Sequence, residues 1–257
     1  MPSFSDDLYL GGARLTPSDP NPAPGANPQQ GGFGVGPLGR VYHWDVGTPV
    51  AASTTNIVTA AAIGASLAAV LTAGTGTSFV TNGRGERVLQ LDVPRAVQVT
   101  ASANEAARVV TITGYDRYGQ KMSQDISGLN VNTVQGTKAF WQILSVTISA
   151  TSVGNISVGV NALLGMPVRV TSIVYVIAMR ATGVALNAIS AGTVVAADGT
   201  SPATATTGDV RGTLQPTGVV PDGVNRFVAS ILLPAIAAGP NATRIGAFGV
   251  DQNLGAQ

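Results

Sequence analysis

Apolar and polar residues alternate with a period of two in most segments after position 87. This is the spacing of a half-buried β-strand, so each alternating run predicts a strand. Turn sequences rich in Gly, Asn and Asp separate the runs, and no long helical pattern lies between them. We therefore expect an all-β protein, an antiparallel β-sandwich or jelly roll. The predicted strands are residues 88–93, 97–101, 109–114, 143–149, 156–160, 168–177, 184–189 and 227–233.

The segment at residues 138–149 is apolar on both faces of its predicted strand and begins with the aromatic residues Phe140 and Trp141. Strands that are apolar on both faces lie centrally in a sheet and are covered from both sides. We therefore predict a central strand here and assign Trp141 to the core or to an interface rather than to a ligand site.

The first 49 residues have a different composition. They hold eight of the 15 prolines and nine of the 32 glycines, and they show neither strand nor helix periodicity. Proline fixes φ and removes a backbone donor, so this segment predicts an extended N-terminal arm. The remainder divides into a β-sandwich body at residues 50–165 and further strands at residues 166–257, either in the same sandwich or in a second small β domain.

Residues 50–71 form an alanine-rich segment with apolar residues at roughly helical spacing and a capping threonine at position 54 or 55. This pattern predicts a short helix near the start of the body. Its apolar part, residues 57–71, is shorter than the roughly 20 residues that a membrane-spanning helix requires. We therefore expect no membrane association.

Charge is scarce throughout the chain. Charged residues make up 11% of the sequence, against about 25% in ordinary globular domains, and residues 46–83 contain none. We interpret this scarcity as a sign that other subunits cover much of the surface, with residues 46–83 as the first candidate for a subunit contact. The net charge is +1 without a basic cluster, so direct binding to nucleic acid is not expected.

Residues suited to catalysis or metal binding are few. The chain has no cysteine and one histidine, His43. The GxGxxG pattern at residues 34–39 lies in the Pro/Gly-rich arm, outside the strand–turn–helix context that nucleotide binding needs. The acidic residues Asp198, Asp209, Asp222 and Asp251 fall in glycine-rich turns, where such side chains bond to their own backbone. We therefore expect no enzyme activity, no cofactor and no metal.

The arm meets the body at a cluster of aromatic residues. Tyr42 and Trp44 fall on one face of a predicted strand, and their rings would anchor the root of the arm. Together with Arg14, Arg40 and His43, they are the candidate residues for contact with a partner.

Three segments in this order resemble tailed-bacteriophage virion structural proteins: residues 91–100 (LDVPRAVQVT), 109–128 (VVTITGYDRYGQKMSQDISG) and 136–149 (GTKAFWQILSVTIS). Residues 208–218 and 221–227 resemble the C-terminal part of such proteins. The resemblance implies a non-enzymatic capsid cement or decoration protein on the capsid exterior of the virion, made in the host cytoplasm. Its implied partners are the major capsid protein and copies of itself, in a homo-oligomer.

Two other functions fit the same sequence. A phage tail or connector protein would also be a β-sandwich that assembles through its strand edges. A carbohydrate-binding β-sandwich would need aromatic residues exposed on one face, and aromatic residues make up only 5% of this chain. That class is therefore the more distant alternative.

Overall fold

The structure is a computed structural model and describes residues 41–182, 184–186, 193–233 and 248–252. Residues 184–186 are described for the backbone only. The described residues form thirteen strands and no α-helix. They are β1 Val41–Gly47, β2 Val58–Ala62, β3 Thr77–Thr81, β4 Arg87–Ala101, β5 Val110–Tyr115, β6 Lys121–Ile126, β7 Thr133–Ile148, β8 Asn155–Gly165, β9 Val176–Ala181, β10 Val184–Leu186, β11 Thr193–Val195, β12 Thr213–Gln215 and β13 Phe227–Leu232.

The larger sheet has nine strands and is antiparallel throughout. Its order is β11-β12-β8-β4-β7-β5-β6, with β2 paired to β8 and β3 paired to β4. The sheet curls into a half-barrel. The main hydrophobic core lies against this sheet, and Phe140, Ile143, Val146 and Ile148 of β7 are buried in it. The prediction that this strand is central is confirmed, because β7 lies between β4 and β5.

The smaller sheet has four antiparallel strands in the order β1-β13-β9-β10. Its buried residues, such as Trp44, Met179 and Phe227, share a second hydrophobic cluster with Val93 of β4 and Leu164 of β8. The two sheets therefore pack against each other through a common core. The all-β, sandwich-like fold predicted from the alternation is confirmed.

The segment after position 165 contributes to both sheets. Its strands β9, β10 and β13 build the smaller sheet with β1, whereas β11 and β12 extend the larger sheet from β8. Within the predicted strand at residues 168–177, a 3-10 turn forms at Ile173–Tyr175, where the Ser172 side chain accepts a hydrogen bond from the Val174 amide. Only the end of that predicted strand is correct, because β9 begins at Val176.

Two sequence predictions near the N-terminus need correction. The short helix predicted within residues 50–71 is wrong: this segment is irregular except for β2, whose partner is β8. The predicted arm at residues 1–49 is too long at its C-terminal end, because Val41–Gly47 forms β1 and pairs with β13. Residues 1–40 lie outside the described part of the chain. No described helix is long and apolar enough to cross a membrane.

Candidate interaction surface

Residues 50–75, here called the strap, cross the larger sheet and form part of its core. Buried Ile57, Val58 and Ile63 belong to the main hydrophobic cluster. The strap also completes two strand edges by backbone hydrogen bonds. The amide of Ile57 donates to the carbonyl of Val158 in β8 (3.0 Å), and the amide of Ala69 donates to the carbonyl of Val146 in β7 (2.9 Å). The strap is therefore fixed to both β8 and β7.

Buried polar side chains hold the first part of the strap. The guanidinium of Arg95 donates to the carbonyl of Val50 (2.8 Å) and to that of Asn161 in β8 (2.9 Å). The amide nitrogen of Gln98 donates to the carbonyl of Ser53 (2.9 Å). The Val50 and Ser53 carbonyls belong to the irregular strap, so these side chains satisfy backbone acceptors that lie outside any strand.

Asn56 fixes the strap from its own side. Its side-chain oxygen accepts from the amide of Val160 in β8 (3.0 Å), and its side-chain nitrogen donates to the carbonyl of Thr75 (3.0 Å). Sequence reasoning did not identify Asn56, Arg95 or Gln98 as structural residues. The available signal was a polar residue inside an apolar run, as in the sequences VPRAV and AVQV.

The outer side of the strap is exposed and uncharged. Val70 is 78% exposed. Most of its neighbours on this side are small. The other exposed strap residues are Ala51, Ala52, Thr54, Thr55, Thr59, Ala60, Ala61, Ala62, Gly64, Ala65, Ser66, Ala68, Ala73, Gly74 and Thr75. Burial of such a surface by a partner would desolvate no charged side chain of the strap.

Three of the predicted contact residues, Tyr42, His43 and Trp44, lie in β1, but they differ in exposure and do not form one exposed cluster. Trp44 is 2% exposed and packs in the core between the sheets, so its ring anchors β1 and leaves little surface for a partner. Tyr42 is 37% exposed. His43 lies on the outer face of the small sheet, where its Nδ1 is 3.1 Å from the hydroxyl of Ser230. Arg14 and Arg40 lie outside the described residues.

Strand β1 is the edge of the smaller sheet. Among the described strands it pairs only with β13, so one side of its backbone has no partner strand there. An exposed ion pair between Asp45 and Arg226 fixes the C-terminal end of β1 to the start of β13. The hydrogen bond from Arg226 lowers the pKa of Asp45 below its ordinary value. This edge continues directly into the predicted arm.

Three of the four carboxylates predicted to stabilise turns do so, whereas Asp251 accepts from the side chain of Gln120 (3.1 Å). Oxygens of Asp198 accept from the amides of Thr200 (2.9 Å) and Gly208 (2.8 Å). Asp222 accepts from the amides of Val224 (2.9 Å) and Asn225 (2.8 Å). Within the described ranges, no group of three or more His, Asp or Glu side chains is placed to hold a metal ion.

Buried Asp209 also accepts hydrogen bonds from its own turn, from the amides of Arg211 (2.8 Å) and Gly212 (3.2 Å). Its second oxygen accepts from the amide of Ala139 in β7 (2.9 Å). Burial raises the pKa of Asp209 above its ordinary value. Because this carboxylate is enclosed and occupied by backbone donors, its geometry is that of a structural link between β7 and the 208–212 loop.

Comparisons with protein-family models, curated proteins and solved structures gave no significant match.

Proposed function

We propose that this protein is a non-enzymatic virion structural protein, most specifically a capsid cement or decoration protein that binds across capsid subunits and stabilises the head. The observation that carries the proposal is the exposed, charge-free outer side of the strap. The resemblance of residues 91–233 to tailed-phage virion proteins supports the same assignment.

The strap suits a permanent contact for a physical reason. Charged residues are depleted in the cores of protein interfaces because burial of a charge must be compensated by a partner. A surface of alanine, threonine, glycine and serine has no charge to desolvate. Its small side chains also let another backbone approach closely. Because the strap is tied to β7 and β8, little conformational entropy is lost when it is covered.

A second contact is proposed at the edge formed by β1. An open strand edge pairs readily with a strand from another chain. The predicted arm before β1 would reach about 3.1–3.6 Å per extended residue, far enough to contact a neighbouring subunit. Several weak contacts on one particle act together through their high effective concentration. The partners would be the major capsid protein and other copies of this chain.

The test places charge on the strap without disturbing the fold. Ala61 and Ala65 are both exposed, so the double variant A61E/A65E should melt like the wild type. We expect it to lose particle occupancy at least about tenfold in a binding assay with purified heads, because two carboxylates would be desolvated. Ala107→Glu, also at an exposed position but outside the strap, is the matched control.

Unchanged occupancy of the double variant would contradict the proposal. Electron microscopy of the native particle separates the head assignment from a tail or connector role. Density with icosahedral symmetry supports a cement protein, whereas density with axial symmetry supports the tail or connector.

A further inference from the structure

A cleft of about 300 Å³ lies on the outer side of the larger sheet, away from the strap's contacts with β8. Two hairpin turns form its walls: the β3–β4 turn at residues 82–85 and the β5–β6 turn at residues 116–119. Trp141 and Gln142 of β7 also line it, with Tyr115 at the end of β5. A volume of this size is at the lower limit of small-molecule sites.

The β3–β4 turn is held rigid by its own side chains. The side-chain oxygen of Asn82 accepts from the amides of Arg84 (2.9 Å) and Glu86 (3.0 Å). Its side-chain nitrogen donates to the Glu86 carboxylate (2.9 Å), which also accepts from the hydroxyl of Tyr115. This wall is therefore bonded to β5 as well as to itself.

The β5–β6 turn is held by Asp116. One carboxylate oxygen accepts from the amides of Tyr118 and Gln120, both at 2.8 Å. The other accepts from the guanidinium of Arg211 at 2.6 Å, and both members of this ion pair are buried. Both walls thus keep their shape without a ligand, so little ordering is needed when one binds.

The cleft combines an aromatic ring with two arginines, of which Arg84 also donates to the Gly119 carbonyl across the cleft (3.5 Å). Trp141 is partly exposed here, whereas the other tryptophan, Trp44, is buried between the sheets. Trp141 is therefore not fully enclosed in the core, and its sequence-based assignment to the core or an interface rather than a ligand site stays a prediction. Arg84 lies over the Tyr115 ring, with its guanidinium 5.3 Å from the ring centre. Within the described chain, Nη1 of Arg117 is buried without a hydrogen-bond partner.

The carboxylate in the lining does not cancel these charges. Asp116 is paired with Arg211, and the nearby Glu86 carboxylate, which is not part of the lining, accepts from Asn82 and Tyr115. The lining itself therefore carries the charges of Arg84 and Arg117. An indole face binds the apolar C–H face of a ring, and a guanidinium binds a carboxylate through two parallel hydrogen bonds. A ligand that satisfies both has a ring with an apolar face and a carboxylate attached to it.

We propose that this cleft binds an acidic saccharide, with the sugar ring against Trp141 and its carboxylate between Arg84 and Arg117. Gln142 lies in the same lining, and its side-chain oxygen can accept from a ring hydroxyl while its side-chain nitrogen donates to Gln90 (3.3 Å). This site is separate from the strap surface, and the inference does not depend on the proposed role in the virion.

Isothermal titration of the full chain with sodium glucuronate, glucose and N-acetylglutamate tests the proposal. We expect glucuronate to bind at millimolar concentration and both other probes to bind at least about tenfold more weakly. Glucose lacks the carboxylate, and N-acetylglutamate lacks the ring. No heat from glucuronate, or equal affinity for N-acetylglutamate, would overturn the assignment to a saccharide.

Variants then locate the site. Arg117→Gln and Arg84→Gln should each weaken glucuronate binding about tenfold, and Trp141→Ala should abolish it. Arg180→Gln, at an exposed position on β9 of the other sheet, is the matched control and should leave binding unchanged. Melting curves verify that each variant folds. Because the Arg84 side chain is exposed, we expect Arg84→Gln to fold like the wild type. Unaltered affinity in both arginine variants would refute binding in this cleft.

Discussion

Arg95 is fully buried, and its guanidinium nitrogens donate hydrogen bonds to carbonyl and carboxylate oxygens. It donates to the carbonyls of Val50 and Asn161 and forms an ion pair with Asp92 at 3.3 Å. Burial lowers the pKa of Arg95, and the nearby Asp92 carboxylate opposes that shift. A buried cation of this kind contributes less net stability than its contacts suggest, but removal of its partners is costly. Arg95 is therefore a structural residue and not a contact for a partner.

Substitution of Ile148 tests which face of β7 is buried in the core. Ile148 is 3% exposed and belongs to the main core, whereas its neighbour Thr147 points outward and is exposed. We expect Ile148→Asp to destabilise the protein by about 4 kcal/mol or more, because an unpaired carboxylate would enter the core. Thr147→Asp should change stability by less than about 1 kcal/mol. Urea unfolding measures both, and equal effects would contradict the assignment of faces.

Substitution of Gly119 tests whether the β5–β6 turn requires a residue with positive φ. The φ of Gly119 is +76°, and a Cβ added at this position would meet no atom within 4 Å, so only the backbone conformation opposes a side chain. We expect Gly119→Ala to cost about 1 kcal/mol. Gly64 in the strap has the same free space but no positive φ, so Gly64→Ala should be neutral or slightly stabilising. Thermal melting compares the two, and equal shifts would exclude backbone strain as the cause.

At the scale of elements, the strap shows why periodicity misled the prediction of a helix. The alanine-rich segment has helical spacing, but its donors and acceptors are used elsewhere. The amides of Ser53 and Ile57 donate to β8, and that of Ala69 donates to β7. Ile57, Val58 and Thr59 are β-branched, which favours extended backbone. Tertiary hydrogen bonding thus overrides a weak local preference.

Asn56 is the residue that should decide how firmly the strap is held. Asn56→Ala removes two side-chain hydrogen bonds and leaves the buried Val160 amide without its acceptor. We expect a loss of about 1–3 kcal/mol. Hydrogen exchange should show faster exchange of strap amides such as Thr72, while the amides of β5 and β6 stay protected. The exposed neighbour change Thr54→Ala is the control. Uniform acceleration across all strands would contradict a local effect.

The strands and hairpins that follow strict alternation were predictable from the sequence. The β5–β6 hairpin has the expected turn at Asp116–Gly119, and β7 is central as expected. Two predicted strands, at 88–93 and 97–101, are one strand, β4, with an irregular register around Pro94, which lacks a backbone donor. The cleft was not predictable, because it joins turns that are 34 positions apart in sequence, from Asn82 to Asp116.

At the scale of the molecule, one buried ion pair in the described residues connects parts that are distant in sequence. Arg211 joins Asp116 of the β5–β6 turn at 2.6 Å, and its guanidinium lies 5.0 Å from the ring centre of Tyr118. The hydroxyl of Tyr118 donates to the carbonyl of Pro167 at 2.6 Å. In the described residues, several charged side chains are therefore used in such junctions and in turns, while the strap carries none.

The carboxylates in turns and ion pairs determine how the stability of the whole molecule depends on pH in acid. Hydrogen bonds lower the pKa values of several carboxylates: Glu86 through the Tyr115 hydroxyl, Asp45 through Arg226, and Asp198 through Thr200. A carboxylate with a lowered pKa in the folded state contributes stability above its ordinary value, and this contribution is lost as pH falls through the lowered one. Asp209, with a pKa raised by burial, acts in the opposite direction.

Because the carboxylates with lowered pKa values outnumber Asp209, we expect the free energy of unfolding to fall as pH drops below about 4.5. Urea unfolding between pH 7 and pH 3 measures this dependence. Glu86→Gln removes one titrating group and keeps an oxygen that can accept from Tyr115, so its decline with acid should be shallower than that of the wild type. A stability that stays constant or rises toward pH 3 would mean that burial of Asp209 outweighs the hydrogen-bonded surface carboxylates.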